Sequence, residues 1–199
     1  MLPLLFSLFS LTASADDYST GQAVALGGFG LGVAGNLTSI GATLALVPYV
    51  DVDTGEIPVA DARRVEPVHL IGGSVRRAGG ALMGLGTLQM YGANRRAGAE
   101  YGNTCGTLSL ALGLGSLAAF GAAEALTWPA ESNASAQLAS GAVLGLASTG
   151  MIVASFTLGF TQYVMNNANK PAKRRKIDDA RFQLFLVPAD RGVALAGVF

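Results

Sequence analysis

The longest uncharged stretch of the chain, residues 132–169, reads SNASAQLASGAVLGLASTGMIVASFTLGFTQYVMNNAN. Its 38 residues mix Leu, Val and Phe with Gly, Ala and Ser, and they include no Asp, Glu, Lys or Arg. An α-helix rises about 1.5 Å per residue, so about 20 apolar residues cross a hydrocarbon core of about 30 Å. The stretch therefore predicts a transmembrane helix.

Three further uncharged runs cover residues 18–50, 78–94 and 101–123, with 33, 17 and 23 residues. The first and third are long enough to span a bilayer. The run 78–94 is long enough only if the arginine pairs at 76–77 and 95–96 extend to opposite interfaces. The runs predict four transmembrane helices, at about 20–48, 69–94, 102–128 and 134–167.

The composition supports this assignment. Asp, Glu, Lys and Arg make up 13% of the 199 residues, against about 25% in soluble domains. Thirteen basic residues balance thirteen acidic ones, so there is no net charge to attract nucleic acid. With only Cys105 and His69, a disulfide scaffold, a Cys/His zinc site and a Ser-His-Asp hydrolase are disfavoured. We expect no enzyme activity and no cofactor.

The first fifteen residues have the pattern of an export signal. Residues 2–11 are apolar, Ala13 and Ala15 supply the small side chains that signal peptidase requires, and Asp16 begins a polar segment. The predicted organisation is a signal peptide at 1–15, a helical membrane domain at 16–169 and a tail at 170–199. The tail opens with a basic cluster at 170–176 and continues as a β-hairpin-like segment. The predicted fold is an all-α, Gly-rich four-helix transmembrane bundle with this short tail.

Glycines four residues apart lie on one face of a helix and let a second backbone approach closely. Pairs with this spacing occur at Gly28/Gly32, Gly80/Gly84, Gly102/Gly106 and Gly141/Gly145. The predicted helix-packing positions are Gly28, Gly32, Gly80, Gly84, Gly141 and Gly145.

One motif is typical of nucleotide-binding proteins rather than of membrane helices. Gly30, Gly32 and Gly35 form a G-x-G-x-x-G sequence after a strand-like 23–26, and Asp51 follows sixteen residues later. This stretch resembles the dinucleotide-binding fold of dehydrogenases, in which the glycines admit a pyrophosphate and the acid holds a ribose hydroxyl. The resemblance covers about 30 residues, and no further βα alternation follows. We interpret the motif as part of a glycine-rich membrane helix.

Three other features are given structural interpretations. The segment 51–56 hints at calcium, but Gly55 stands at the fifth position of the loop, so we expect a solvated acidic turn. Glu124 precedes Trp128 closely enough to lie at the membrane interface. His69 has no catalytic partners nearby in the sequence and is expected at the interface.

Three functions fit the sequence. The first is a non-catalytic membrane protein with a structural or interaction role, whose partners are the lipid bilayer and either further copies or another membrane protein. The second is a small channel or transporter subunit in which Asn36, Thr38, Ser116 and Thr149 line a path. The third, most remote, is a dinucleotide-binding oxidoreductase.

The topology has three alternatives. A cleaved signal with four spans places the tail outside, with seven of the thirteen Lys and Arg residues, against the positive-inside tendency. A second helix that does not cross, or an uncleaved start with an inside amino end, removes this conflict. We favour four helices packed as one bundle.

Overall fold

The computed structural model describes residues 17–50, 59–127, 135–171, 183–189 and 192–198. The predicted four helices are confirmed: α1 spans Asp17–Leu44, α2 Val59–Arg96, α3 Thr104–Thr127 and α4 Ser135–Ala168. A short 3₁₀ helix, Val47–Tyr49, follows α1. The predicted signal peptide, the acidic segment 51–56 and all of the basic cluster except Lys170 lie outside the described residues.

The buried residues of α1 repeat at alternating spacings of three and four, which is the seven-residue repeat of a coiled coil. Most of them are small, so the partner helix can approach closely. They are Tyr18, Gly21, Ala25, Gly28, Gly32, Gly35, Ser39 and Ala42. Helix α3 follows the same rule. Its buried residues are Gly106, Ser109, Gly113, Ser116, Phe120 and Ala123.

Helices α1 and α2 pack antiparallel through glycines that are seven residues apart on each helix. A Cβ built on Gly28 would lie 2.6 Å from the Gly79 carbonyl oxygen, and one on Gly21 would lie 2.7 Å from that of Gly86. The third contact joins Gly35 to Gly72, where the corresponding distance is 2.6 Å. We call these six residues the glycine seam. It runs along most of α1, so the two helices stay in contact over their shared length.

Helix α2 is the central element of the bundle because it packs against α1, α3 and α4, whereas α1 meets α4 at few positions. It also begins earlier than the predicted residue 69, at Val59, and continues through Pro67. Pro67 therefore lies inside the helix rather than before it. Its ring removes one hydrogen bond, to the carbonyl of Arg63, and both residues are exposed near the start of the helix.

Three helical segments, Tyr18–Tyr49, Thr104–Thr127 and Ala139–Ala168, are long and apolar enough to cross a membrane. Their large apolar side chains point outward among the described residues: Leu37 is 63% exposed, Leu114 55% and Leu146 76%. The fully buried side chains include Ser109, Ser148, Gln162 and Asn166. A water-soluble domain has the opposite arrangement, so this distribution is that of a bundle in a lipid environment.

The connection from α2 to α3 is closed by a Schellman motif. The Gly98 N–H donates to the Arg95 carbonyl at 3.0 Å, and the Ala99 N–H donates to the Asn94 carbonyl at 3.0 Å. Gly98 has φ +89°, which a glycine adopts without the steric cost of a Cβ. The chain therefore reverses within a few residues, and α3 returns antiparallel along α2.

The described tail consists of two strands, Gln183–Ala189 and Gly192–Val198. They pair antiparallel, with Gln183 opposite Val198 and Ala189 opposite Gly192.

Candidate functional site

Polar side chains form a column inside the bundle, between α2, α3 and α4. On α4 the members Ser148, Ser155 and Gln162 are seven residues apart, and all three are fully buried. A spacing of seven keeps side chains on one face of a supercoiled helix. The α4 sequence therefore places one polar group per two turns on the face that meets α2 and α3.

Two pairs of serines join α3 to α4. The Ser109 hydroxyl donates to the Ser155 carbonyl at 2.7 Å, and the Ser155 hydroxyl donates to the Ser109 carbonyl at 2.7 Å. One heptad away, Ser116 and Ser148 make the same reciprocal bonds, at 2.7 and 2.8 Å. Each hydroxyl thus bonds to the opposite helix, and the small side chains allow the two backbones to lie close together.

Arg77 lies in the column at the level of the second serine pair and is only 3% exposed. Its Nε donates to the Ser148 hydroxyl at 2.6 Å, and its Nη1 donates to the Gly73 carbonyl at 2.9 Å. The guanidinium carbon lies 3.8 Å from the centre of the Phe120 ring, a cation–π contact. No carboxylate among the described residues lies within ion-pair distance, so neutral groups hold this charge.

Arg76 points to the other side of α2, toward α1. Its Nη1 donates to the Asn36 side-chain oxygen at 3.2 Å. The Arg76 Nε is buried and has no hydrogen-bond partner in the described part of the chain. Both arginine side chains thus bond to neighbouring helices or to their own helix, and the extension of the arginine pair to a membrane interface stays a prediction.

An amide cluster fills one end of the bundle. The Asn166 side-chain nitrogen donates to the Thr87 carbonyl at 2.7 Å, and the Asn94 side-chain nitrogen donates to the Asn166 carbonyl at 2.8 Å. The Gln162 side-chain nitrogen donates to the Asn166 side-chain oxygen at 3.1 Å. The cluster thus ties α2 to α4 where the α2–α3 connection begins.

Tyr101 covers the amide cluster from that connection. Its hydroxyl donates to the Asn166 side-chain oxygen at 2.8 Å and accepts from the Asn94 side-chain nitrogen at 2.8 Å. Burial raises the pKa of the Tyr101 phenol above its ordinary value of 10.0, because the phenolate loses hydration, although the bond from Asn94 acts in the opposite direction. The phenol therefore remains a donor at neutral pH.

The structure places five of the six predicted packing glycines against another helix. The nearest neighbours of an added Cβ are Met83 and Gly79 for Gly28, the Phe156 ring for Gly32, Ile152 for Gly80, Leu110 for Gly84 and Thr127 for Gly141. These neighbours lie on different helices, so each glycine contributes to a different contact surface. The glycines do not converge on one site.

Gly145 is the exception. No described atom lies within 4 Å of a Cβ built there, so the residue packs against no other helix in the described part of the chain. The prediction for Gly145 is wrong within the single chain. The physical reason is distance: Gly145 is half-buried and lies on the same face of α4 as Ile152, seven residues later, but no described atom of a neighbouring helix comes within 4 Å of its Cβ position, whereas Gly141 contacts Thr127 of α3.

The remaining candidates are dispersed. The G-x-G-x-x-G motif lies wholly within α1, so the strand–turn–helix that a pyrophosphate site requires is not formed there. Of the proposed path residues, Ser116 is buried, while Asn36, Thr38 and Thr149 are exposed; the four do not line one path in the single chain. Glu124 lies in the last turns of α3 beside Arg63 and Glu66 of α2.

The described residues contain no group of three or more His, Cys, Asp or Glu side chains that could hold a metal ion. The chemistry available inside the bundle is hydrogen bonding by hydroxyls, amides and two guanidinium groups. No family model, curated protein or solved structure matches the chain.

Reasoning from the sequence missed the polar column and the glycine seam. Both have the same signal, a period of seven: Gly21, Gly28 and Gly35 on α1, and Ser148, Ser155 and Gln162 on α4. A search for pairs four residues apart detects only fragments of it.

Proposed function

We propose that this protein is a non-catalytic, multi-pass membrane protein with a structural or interaction role. In this proposal a Gly-rich four-helix transmembrane bundle carries a C-terminal β-hairpin tail. The observation that carries the proposal is the inverted polarity of the bundle. Leu, Val and Phe side chains face outward, and the serines and amides bond to one another inside.

The packing of the interior favours a structural role over a channel. Reciprocal bonds close the space between α3 and α4 at two levels, and backbone contacts at Gly28 and Gly79 close the space between α1 and α2. A conducting path needs polar groups that remain available to an ion or to water. Here each serine hydroxyl already donates a hydrogen bond to a carbonyl of the opposite helix.

The bilayer is the first partner in this proposal, and a second copy or another membrane protein is the next. The outward faces of α1 and α4 offer apolar surface for either, and the hairpin offers strand edges. We further propose entry through the secretory pathway, with residues 1–15 as the signal.

Two measurements test the proposal. After cell lysis, the protein should remain in the membrane pellet through alkaline carbonate washing and should dissolve only with detergent. Recovery in the soluble fraction would contradict membrane integration.

The second measurement addresses the channel alternative. Liposomes containing the purified protein should release ions no faster than empty liposomes. Faster release, abolished by Gly84→Ile, would favour the channel or transporter subunit instead.

A further inference from the structure

A lateral groove of about 310 Å³ lies between α1 and α4, on the side where these helices meet at few positions. Its walls are apolar: Phe29 and Val33 come from α1, and Val153 and Phe156 come from α4. The two phenyl rings meet edge to face, with their centres 6.4 Å apart. Because Val33 and Val153 are 44% and 62% exposed, the groove opens to the surroundings of the bundle.

Arg76 is the charged group of this groove. Asn36 and Thr157 are the polar side chains of the groove lining, but the Thr157 hydroxyl already donates to the Val153 carbonyl at 2.9 Å. Arg76 keeps a single side-chain bond, to Asn36, and its Nε has no partner among the described residues. An arginine in an apolar setting is stabilised by an anion that accepts from its planar fork of donors.

The depth of Arg76 restricts the source of that anion. Its partner Asn36 lies eight residues before Leu44, the last residue of α1, a distance of about 12 Å along the helix. In a bundle centred in the bilayer, with about 30 Å of α1 inside the hydrocarbon core, this position lies inside the core, away from the phosphate groups of phospholipids. The anion must therefore be carried by an apolar molecule.

A second copy of the chain has no suitable carboxylate. Residues 18–50, 67–94, 101–123 and 132–169 contain neither Asp nor Glu, so the helices offer no acid at this depth. A transmembrane helix from another protein is about 10 Å across, so a single turn of it, roughly 420 Å³, exceeds the volume of the groove. A volume of 310 Å³ lies at the small end of ligand pockets, about 300–1,000 Å³.

We propose that the groove between α1 and α4 binds a single-chain lipophilic carboxylate, whose carboxylate accepts hydrogen bonds from Arg76 and Asn36 and whose chain lies between Phe29 and Phe156. The carboxylate supplies the missing charge at the Arg76 end. The aromatic and valine walls supply apolar contact over the seven residues from Asn36 back to Phe29, about 10 Å.

The test uses radiolabelled dodecanoate and the purified full chain in phosphatidylcholine nanodiscs. We expect saturable binding of one dodecanoate per chain, with affinity reduced at least tenfold by Arg76→Gln. The matched control is Arg96→Gln, which removes an exposed arginine from the end of the same helix and should leave binding unchanged. Dodecanol, with the same chain and no charge, should bind at least tenfold more weakly.

A groove-filling variant keeps the test decisive if Arg76→Gln fails to fold. Val33→Trp places an indole in the groove without touching the glycine seam and should abolish binding. Leu37→Trp, at an exposed position outside the groove lining, should leave dodecanoate binding unchanged. Equal binding of dodecanoate by the protein, Arg76→Gln and Val33→Trp would overturn the proposal. The proposal would also be overturned if dodecanol bound as tightly as dodecanoate, or if only an anionic phospholipid competed with dodecanoate for the protein. The assay requires only a folded bundle, so its failure leaves the proposed structural role untouched.

Discussion

At the scale of single residues, two glycines with the same sequence context differ in what surrounds them. A Cβ on Gly84 would collide with the Leu110 backbone nitrogen and lie 3.0 Å from the Leu110 Cβ, whereas one on Gly145 meets no described atom. Backbone atoms cannot rotate away as a side chain can. A larger side chain at Gly84 therefore fits only if α3 moves away from α2.

We predict that Gly84→Ile lowers the unfolding free energy by about 1–3 kcal/mol, the usual cost of overpacking. Gly145→Ile should change it by less than about 0.5 kcal/mol, as a surface substitution does. Thermal melting of the detergent-solubilised protein measures both, with Leu82→Ile and Val143→Ile as hydropathy controls. Equal melting of the two glycine variants would show that the contact with Leu110 does not hold the bundle together.

The Tyr101 phenol should make the stability of the folded protein depend on pH. Its pKa is higher in the folded protein than in the unfolded chain because burial opposes ionisation. The stabilisation from its neutral form is complete below the unfolded value of about 10 and is lost as pH rises through the folded value. We therefore expect the stability gap between the protein and Tyr101→Phe to be constant up to about pH 9 and to narrow as pH rises above about 10.

Thermal melting across this pH range measures that gap. Tyr49→Phe is the control, because Tyr49 is 46% exposed and its removal should leave the pH profile unchanged. A gap that stays constant to the highest pH would mean that the Tyr101 hydroxyl contributes nothing through its protonation state.

At the scale of helices, the reciprocal serine bonds join α3 to α4. Ser109 and Ser155 donate to each other's carbonyls at 2.7 Å, so removing either hydroxyl breaks one bond and disturbs the other. In lipid, such interhelical bonds contribute about 0.5–1.5 kcal/mol. We predict that Ser109→Ala and Ser155→Ala are coupled by about 0.5–1.5 kcal/mol in a double-mutant cycle.

Unfolding in mixed micelles of increasing denaturing detergent measures this coupling. Thr157 and Thr161 supply the control pair, since each hydroxyl bonds only to its own helix, at 2.9 Å. Their alanine variants should be additive. Additivity at Ser109 and Ser155 as well would mean that the two serines act independently.

Three of the four helices could be predicted from the sequence because absence of charge over 23 or more residues is a strong physical constraint. The prediction of α2 rested on a shorter uncharged run of 17 residues, 78–94. The start of α2 and its central position depend on its surroundings in the folded bundle, which the sequence does not show. The predicted start of α2, residue 69, was too late because a proline such as Pro67 marks a common but not obligatory helix boundary, and here the helix continues through it. The centrality of α2 was missed because its hydropathy describes its own side chains, whereas its burial comes from α1, α3 and α4.

Whether a predicted packing glycine contacts another helix also could not be predicted from the sequence. Spacing alone does not distinguish Gly141, which faces Thr127, from Gly145, which faces no described neighbour. The polar column was overlooked because Ser148 and Ser155 are weakly polar residues in an apolar run. Their period of seven gains meaning only when α3 presents Ser109 and Ser116 at matching levels.

At the scale of the whole molecule, the helices alternate in direction. The Tyr18 hydroxyl donates to the Asn167 side-chain oxygen at 2.9 Å, so the start of α1 and the end of α4 lie together. Arg95 and Lys170 are near this end, and Arg63 is near the other. Because α1 and α2 touch from Gly21–Gly86 to Gly35–Gly72, we expect α2 to cross any membrane that α1 crosses, although of the described helices only α1, α3 and α4 are long and apolar enough to span one by themselves.

The central claim is that α2, despite Arg76 and Arg77, crosses the membrane inside the bundle. Cysteine accessibility at its two flanks tests this directly. In a Cys105→Ser background, Gly55→Cys precedes α2 and Ala99→Cys follows it. Sealed vesicles are treated with a membrane-impermeant maleimide before and after permeabilisation. We predict that one cysteine reacts in sealed vesicles and the other only after permeabilisation; labelling of both from the same side would contradict the four-helix transmembrane bundle.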